Sequence, residues 1–344
     1  MELFKHSELT YSRSNNHYSR RYHSPLSRLK SVKNAVDKFD ELGLIEHDKK
    51  QAGTQNDGQQ SSMIATDELC HIVGSIVTLE QLPPEMPREL VVLRDHNKKL
   101  KQYEDSVRTR KMRKKLTAHG EAVMSSGITG CVLTPMTRIF NEQWRWGGRG
   151  YALWQNVPKK EREQFTIGGE PMVELDFKSI HPSLLYAEKG LTVPDDCYDI
   201  KGYQRAHVKL AVVILMNANT LKKAVMALAA DIEDMERKQR GLKLLTRKEQ
   251  VPKCQVKLAT ALIKAIKNHH EVISENFHSG AGLRLQRIDS DIAEDVWWKM
   301  CKRGTVVLPV HDSFIVEASK ANELEQVMVE ASERIAKVAL TVTR

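Results

Sequence analysis

From Gly304 to Ser319 the chain reads GTVVLPVHDSFIVEAS, and two β-rich runs, TVVLPV and FIVEA, leave only His311, Asp312 and Ser313 between them. β-Branched and aromatic residues at that density suit a pleated, half-buried surface, and so short a gap leaves room for little but a hairpin with Asp312 at its tip. Pro309 has no N–H to donate, so its strand belongs at a sheet edge or at a bulge near that tip. Alone, Asp312 reads as an ordinary aspartate in a tight turn.

A hairpin needs a third strand, and residues 170 to 190, EPMVELDFKSIHPSLLYAEKG, supply one. Val173, Leu175 and Phe177 alternate with Glu174 and Asp176, which predicts a strand with both carboxylates on one face, followed by a short helix over 179 to 188. An aspartate at the end of a strand, just before a helix, sits on rigid backbone beside a cleft and is well placed to hold a metal.

Between these strands, GYQRAHVKLAVVILMNANT at 202 to 220 predicts an apolar helix. At 100° per residue Arg205, Lys209, Val213 and Asn217 fall on one stripe, and Val208, Ala211, Val212, Ile214 and Leu215 cover the rest. Two stacked cations on such a helix need an opening to water or an anionic partner, either an internal carboxylate or a bound triphosphate. Helices are expected over 202 to about 275, with two more at 290 to 302 and 321 to 338. The last would bury Leu324, Val327, Met328, Ala331 and Ile335.

In this order the three segments resemble motifs A, B and C of the single-subunit polymerases, the family A DNA polymerases and the phage-type RNA polymerases, in a form similar to proteins of bacterial mobile elements. Asp176 in VELDFKSIHP matches the motif A aspartate. Arg205 and Lys209 match motif B, Arg-x-x-x-Lys-x-x-x-aromatic, and His311, Asp312 and Ser313 match motif C, with Ser313 as in the phage-type enzymes. LQRIDSDIAEDVWWKM, 285 to 300, stands where those families place a Gln-containing loop and the helix before motif C. His181 replaces the glutamate with which the DNA enzymes reject ribose, Val213 the motif B aromatic and Asn217 a later tyrosine, which leaves sugar choice open. Upstream, WRWGGRGYALWQNVP resembles the Arg-Gly-Arg-x-Tyr element of the phage-type enzymes. It makes Arg149 a phosphate or template contact unless the segment is simply a glycine-rich turn with packed tryptophans.

The resemblance implies a two-metal mechanism. Asp176 and Asp312 would bridge two Mg²⁺ ions, with Mn²⁺ as an alternative, because hard cations prefer carboxylate oxygen. Lys209 and Arg205 would neutralise the β- and γ-phosphates, Lys209 would protonate the leaving pyrophosphate, and His311 would orient Asp312 or the primer end. His181, Asn217 and Arg149 complete the substrate-binding set. The implied fold is α+β: a small antiparallel palm sheet backed by helices, a helical fingers insertion and a small N-terminal winged-helix-like domain. Its parts are residues 1–70, winged-helix-like and nucleic-acid-binding; 71–165, a basic helical connector or thumb-like region; and 166–344, palm and fingers.

The amino-terminal assignment rests on residues 24 to 65. Leu29, Val32, Val36, Phe39 and Leu42 recur at helical spacing, Gly43 stops the helix, and Leu44-Ile45, a polar run from 47 to 62 and SSMIAT read as a hairpin. In a winged helix this segment would set Arg28, Lys30 and Lys33 near phosphates; the alternative is a small helical cap with a loop. The proline-marked stretch LPPEMP opens residues 82 to 118, whose basic second half is either a solvated helix face or a nucleic-acid track.

The charge balance, 53 Lys and Arg against 44 Asp and Glu for a net +9, favours a polyanionic partner. The five cysteines form no C-x-x-C pair, so neither a zinc site nor a disulfide framework is expected, and a cytoplasmic location follows. No segment reads as a signal peptide or membrane span, and without a P-loop, nucleophile elbow or zinc motif, helicase, hydrolase and deaminase readings have no anchor. The expected partners are a nucleic-acid template and primer, nucleoside triphosphates and replication partners of a mobile element. The reading is a DNA polymerase of family A type. An RNA polymerase or primase is the alternative within the class, and a non-catalytic DNA-binding replication or regulatory protein is the alternative outside it.

Overall fold

Alternation at 170 to 177 and the β-rich runs at 304 to 319 meet in one sheet. In the computed structural model, which describes residues 9–11, 29–49, 61–76, 89–243, 245 and 250–344, strand Glu170–Phe177 pairs antiparallel with Ser313–Glu317, and that strand pairs with Leu308–Val310. On its other side Glu170–Phe177 pairs antiparallel with Thr166–Ile167 at its start and with Val342–Thr343 at its end. Leu308–Val310 has one partner strand, so Pro309, opposite Phe314, stands at an edge where its missing N–H breaks no ladder. Leu175, Phe177, Phe314, Ile315 and Val316 are buried, and the Phe177 and Phe314 rings meet edge to face at 6.3 Å. Each such side chain contributes about 1.5–3 kcal/mol by leaving water.

The chain divides into two compact units, one comprising Met1–Glu142 with Tyr151–Pro158 and the other Gln143–Gly150 with Lys159–Arg344. In the second unit the sheet is backed by two packed helices, Gly282–Lys302 and Ala321–Ala336. Leu285, Ile292, Val296, Trp297 and Met300 of one and Leu324, Val327, Met328 and Ala331 of the other are buried. Ile335 is only half-buried. The first of these helices starts at Gly282, eight residues before the expected 290, so the segment resembling a Gln-containing loop is helical throughout. The insertion is three helices, Arg205–Asn217, Leu221–Gln239 and Lys253–His269, then a 3-10 turn, Glu271–Asn276. They pack through Val208, Val212 and Leu215, then Ala224, Leu228 and Ile232, then Leu262, Ile263 and Ile266. The 147 to 151 segment, read as a turn, is a strand, Gly147–Tyr151; Gly147 and Gly148 hold φ of 71° and 92°, backbone that glycine adopts without strain.

In the first unit, helix Leu29–Glu41 ends at Gly43 with φ 67°, and strands Leu9–Tyr11, Ser61–Ala65 and Ile45–Asp48 form an antiparallel sheet in that order. Its core is Tyr11, Val36 and Ile45, flanked by Val32, Met63 and Leu69. Phe39 and Leu42, which continue the helical spacing, are exposed. Further on, Val91–Arg94 runs parallel to Thr137–Asn141. Helix Val107–Met124 is capped by a reciprocal Ser106–Thr109 box. It buries Met112, Leu116 and Val123 and exposes Arg108, Arg110, Lys111 and Lys114. Arg28, the polar turn at 50–60 and the proline-marked stretch at 82–87 lie outside the described residues. All five cysteines are free. Among the described residues no helix is long and apolar enough to cross a membrane.

Candidate active site

Asp176, on its strand, and Asp312, in the hairpin loop next to the paired strand, are neighbours. Ser313 stands opposite Asp176 in the ladder, and the Phe177 N–H donates to the Asp312 carbonyl at 3.4 Å. His311 and Asp312 are the two-residue hairpin loop, and His311 sits at φ 62°, a left-handed conformation uncommon outside glycine. That turn brings the second carboxylate beside the first. Burial and then the Asp312 charge push the Asp176 carboxyl up to about 6, while Lys159 and Lys209, each close enough to be felt, oppose the rise. Asp176 Oδ1 is buried and has no hydrogen-bond partner in the structure. A like-charge pair with an unsatisfied buried oxygen is chemically matched to a hard cation.

Glu174, on the same face as Asp176, is already neutralised. Arg162 grips it through two N–H donors at 3.0 and 2.9 Å, and the Ser313 hydroxyl donates to it at 2.5 Å. Burial alone would raise this carboxyl, but the Arg162 and Ser313 hydrogen bonds outweigh it and hold it below the usual range. Ser313 therefore faces the Arg162–Glu174 pair.

Lys209 lies on the exposed stripe of helix Arg205–Asn217. Arg205, Lys209, Val213 and Asn217 are all open to solvent there, so the stripe meets water, not a core. Arg205 is bound to the Asp196 carboxylate at 2.6 Å and lies 5.3 Å over the Tyr198 ring, the internal-carboxylate arrangement that the sequence left open. The guanidinium holds Asp196 below the ordinary carboxylate range. Asn217 donates its amide to Val213 O at 2.8 Å and packs against Gly282, where an added Cβ would meet Asn217 Oδ1 at 2.2 Å. It serves the junction between two helices.

Arg149 and His181 converge on a residue that sequence reasoning missed. Arg149 Nε donates to both oxygens of Asp289 at 3.2 and 3.1 Å, and His181 Nε2 is 2.7 Å from Asp289 Oδ2. The Asp289 side chain is 1% exposed. Its signal was present, since Leu285, Asp289, Ile292 and Val296 recur at 4, 3 and 4 residues along one helix face, and a carboxylate on an otherwise buried stripe must have a cationic partner. His311 is close to this cluster. Burial, then the Arg149 charge, lowers its pKa against the pull of Asp312 and Asp289, so the imidazole is neutral at neutral pH. Lys159 and Tyr198 were also missed; Tyr198 is buried and within reach of the Asp312 charge.

No protein-family model and no curated protein matches this chain. Among solved structures it is similar to the POL domain of Pol1 from M. smegmatis, described in complex with DNA primer-template and dNTP, at 13% sequence identity and a TM-score of 0.36. The match covers 79% of this chain and 59% of that one, so the chain spans less than two thirds of its length.

Proposed function

We propose that this chain is a template-directed nucleotidyltransferase of the DNA polymerase type, acting through Asp176 and Asp312. One observation carries the reading. Two carboxylates from segments far apart in sequence lie close enough to repel, one on a strand and one in the hairpin loop beside it, the first holding an unsatisfied buried oxygen with the Lys209 charge close by. A structural aspartate pair has no reason to accumulate repulsion that two lysines only partly offset, whereas a site for a divalent cation does.

Asp176 and Asp312 would hold Mg²⁺, whose chemistry there is to activate a hydroxyl and neutralise phosphate charge. Lys209, free to reach a ligand from its exposed stripe, would bind the triphosphate and donate a proton to the departing pyrophosphate. Neutral His311 adds no positive charge that would compete with a cation, and helps position Asp312. His181, held by Asp289, stands beside the site as a fixed polar wall where the sugar would lie. A duplex-binding role of winged-helix type for the amino-terminal residues is supported by Lys30 and Lys33, which are exposed on helix Leu29–Glu41.

The test is primer extension and unprimed synthesis with dNTPs and with rNTPs under Mg²⁺, using wild-type protein, Asp176→Asn and Asp312→Asn. Incorporation by wild type alone, with nucleic-acid binding retained in both variants, upholds the reading. Near-normal activity in either variant overturns it, and the preferred nucleotide decides between DNA polymerase and RNA polymerase or primase.

A further inference from the structure

The arginines around the two aspartates are all engaged. Arg149 is bound to Asp289, Arg162 to Glu174 and Arg205 to Asp196. Lys159 and Lys209 are different: both are exposed, and among the described residues neither has a carboxylate within ion-pair distance. Lys209 is expected at such a site. Lys159, in the short helix Lys159–Arg162, is not part of any motif.

The local geometry sets the turn that carries Lys159 against the strand that carries Asp176. Arg162 and Lys159 are three residues apart and so share a face of their helical turn. Arg162 is clamped to Glu174 by two hydrogen bonds, and the Phe165 carbonyl accepts from the Met172 N–H at 3.0 Å, fastening the turn to the strand. Glu174 and Asp176 are two residues apart on that strand and share its face. A turn pinned above Glu174 therefore carries Lys159 towards Asp176.

We propose that Lys159 is a second phosphate-binding residue of this site besides Lys209, presented by the Arg162–Glu174 clamp. The inference rests on the nucleotidyltransferase reading for its setting but not for its test. An ammonium is a compact charge on a flexible stem, suited to following phosphate, whereas the paired guanidiniums are committed to fixed carboxylates. The phosphate is that of a nucleoside triphosphate or that of a polynucleotide backbone.

The experiment measures equilibrium binding by the full chain, without turnover, for wild type, Lys159→Ala and Lys159→Arg. One arm titrates a nucleoside triphosphate with Mg²⁺; the other titrates a primer-template duplex over a range of salt. Lys159→Ala should weaken nucleotide binding about tenfold, the scale of one charge-assisted contact, with most of it restored in Lys159→Arg. Alternatively it should lower the slope of log affinity against log salt by about one for the duplex. The first result assigns the phosphate to the nucleotide, the second to the strand. Unchanged behaviour in both arms, in a variant whose melting temperature matches wild type, overturns the proposal. Loss of binding in Lys159→Ala together with a wild type that incorporates no nucleotide upholds the phosphate site and sinks the polymerase reading instead.

Discussion

Exchanging Asp176 for Asn keeps the shape of the side chain and deletes its charge, and without divalent cations the variant should be more stable than wild type at neutral pH. Burial, reinforced by Asp312, lifts this carboxyl to about 6 from an ordinary 3.8. In the unfolded chain it ionises near the ordinary value, so between the two the folded protein binds the proton more tightly and wild-type stability falls as pH rises. Relative to Asn, wild type therefore loses ground from about pH 4 to just above pH 6 and stays level beyond. At about 1.4 kcal/mol per pH unit the whole displacement corresponds to roughly 3 kcal/mol. The carboxyl keeps some contact with water, and screening leaves about 1–2 kcal/mol. For a folding unit of about 150–250 residues each kcal/mol moves the melting midpoint by about 2–4 °C. Thermal melts of both proteins in chelator should show no difference near about pH 4 and an advantage of several degrees for Asn above about pH 6.5. Saturating Mg²⁺ should then stabilise wild type and leave the variant unmoved. A difference independent of pH, or equal stabilisation of both by Mg²⁺, would refute the view of Asp176 as a carboxylate built to meet a cation.

Lys209→Ala should leave the melting temperature without nucleotide within about 1 °C of wild type while raising nucleotide KM and lowering kcat, each by about tenfold, because the cation helps most as charge builds on the leaving group. A large loss of stability in the absence of nucleotide would reveal an internal partner and remove its catalytic role. Asp289→Ala strands the Arg149 guanidinium, whose side chain is 18% exposed, and should destabilise the second unit by about 3 kcal/mol in urea, with Asp289→Asn milder. A loss within experimental error would mean that the Arg149–Asp289–His181 cluster does not hold the site together. Gly282→Ala would put a methyl 2.2 Å from Asn217 Oδ1 and 3.1 Å from Met216 O. It should cost about 1–3 kcal/mol, part of which Asn217→Ala restores; strict additivity of the two in a double-mutant cycle would refute that contact.

The strands were legible because their apolar residues alternate and the hairpin gap is short, so the neighbourhood of Asp176 and Asp312 follows from Val173, Leu175, Phe177 and the runs around His311. The helix stripe of Arg205 and Lys209 was legible as a stripe, but not which of its cations is spoken for. Asp196 precedes Arg205 by nine residues across an irregular segment, and no periodicity links them. Asp289 escaped notice because Arg149 lies 140 residues away. Lys159 escaped because a four-residue turn has no pattern to announce it, and its direction depends on a hydrogen-bonded clamp between Arg162 and Glu174. Phe39 and Leu42 share the helical spacing but not the burial, because the sheet below covers only the Val32 and Val36 part of the helix.

The two aspartates are not equivalent, and the ladder explains why. Asp176 is near the end of a strand with a neighbour on each side: Ser313 faces it across one ladder, Thr343 across the other, and the Thr343 hydroxyl donates to the Asp176 carbonyl at 3.3 Å. Asp312 occupies a two-residue loop whose first member, His311, is already in a left-handed conformation. Backbone on the central strand can shift only if two ladders shift with it, so Asp176 is the fixed reference of the pair and Asp312 the partner that can adjust. Removing the Asp312 charge should then lower the Asp176 pKa without disturbing its strand. Removing Asp176 leaves Asp312 in a loop with less to hold it in register with a ligand. A cation bound by both would therefore be positioned by the sheet and accommodated by the hairpin, a division of labour that a hairpin tip alone could not supply.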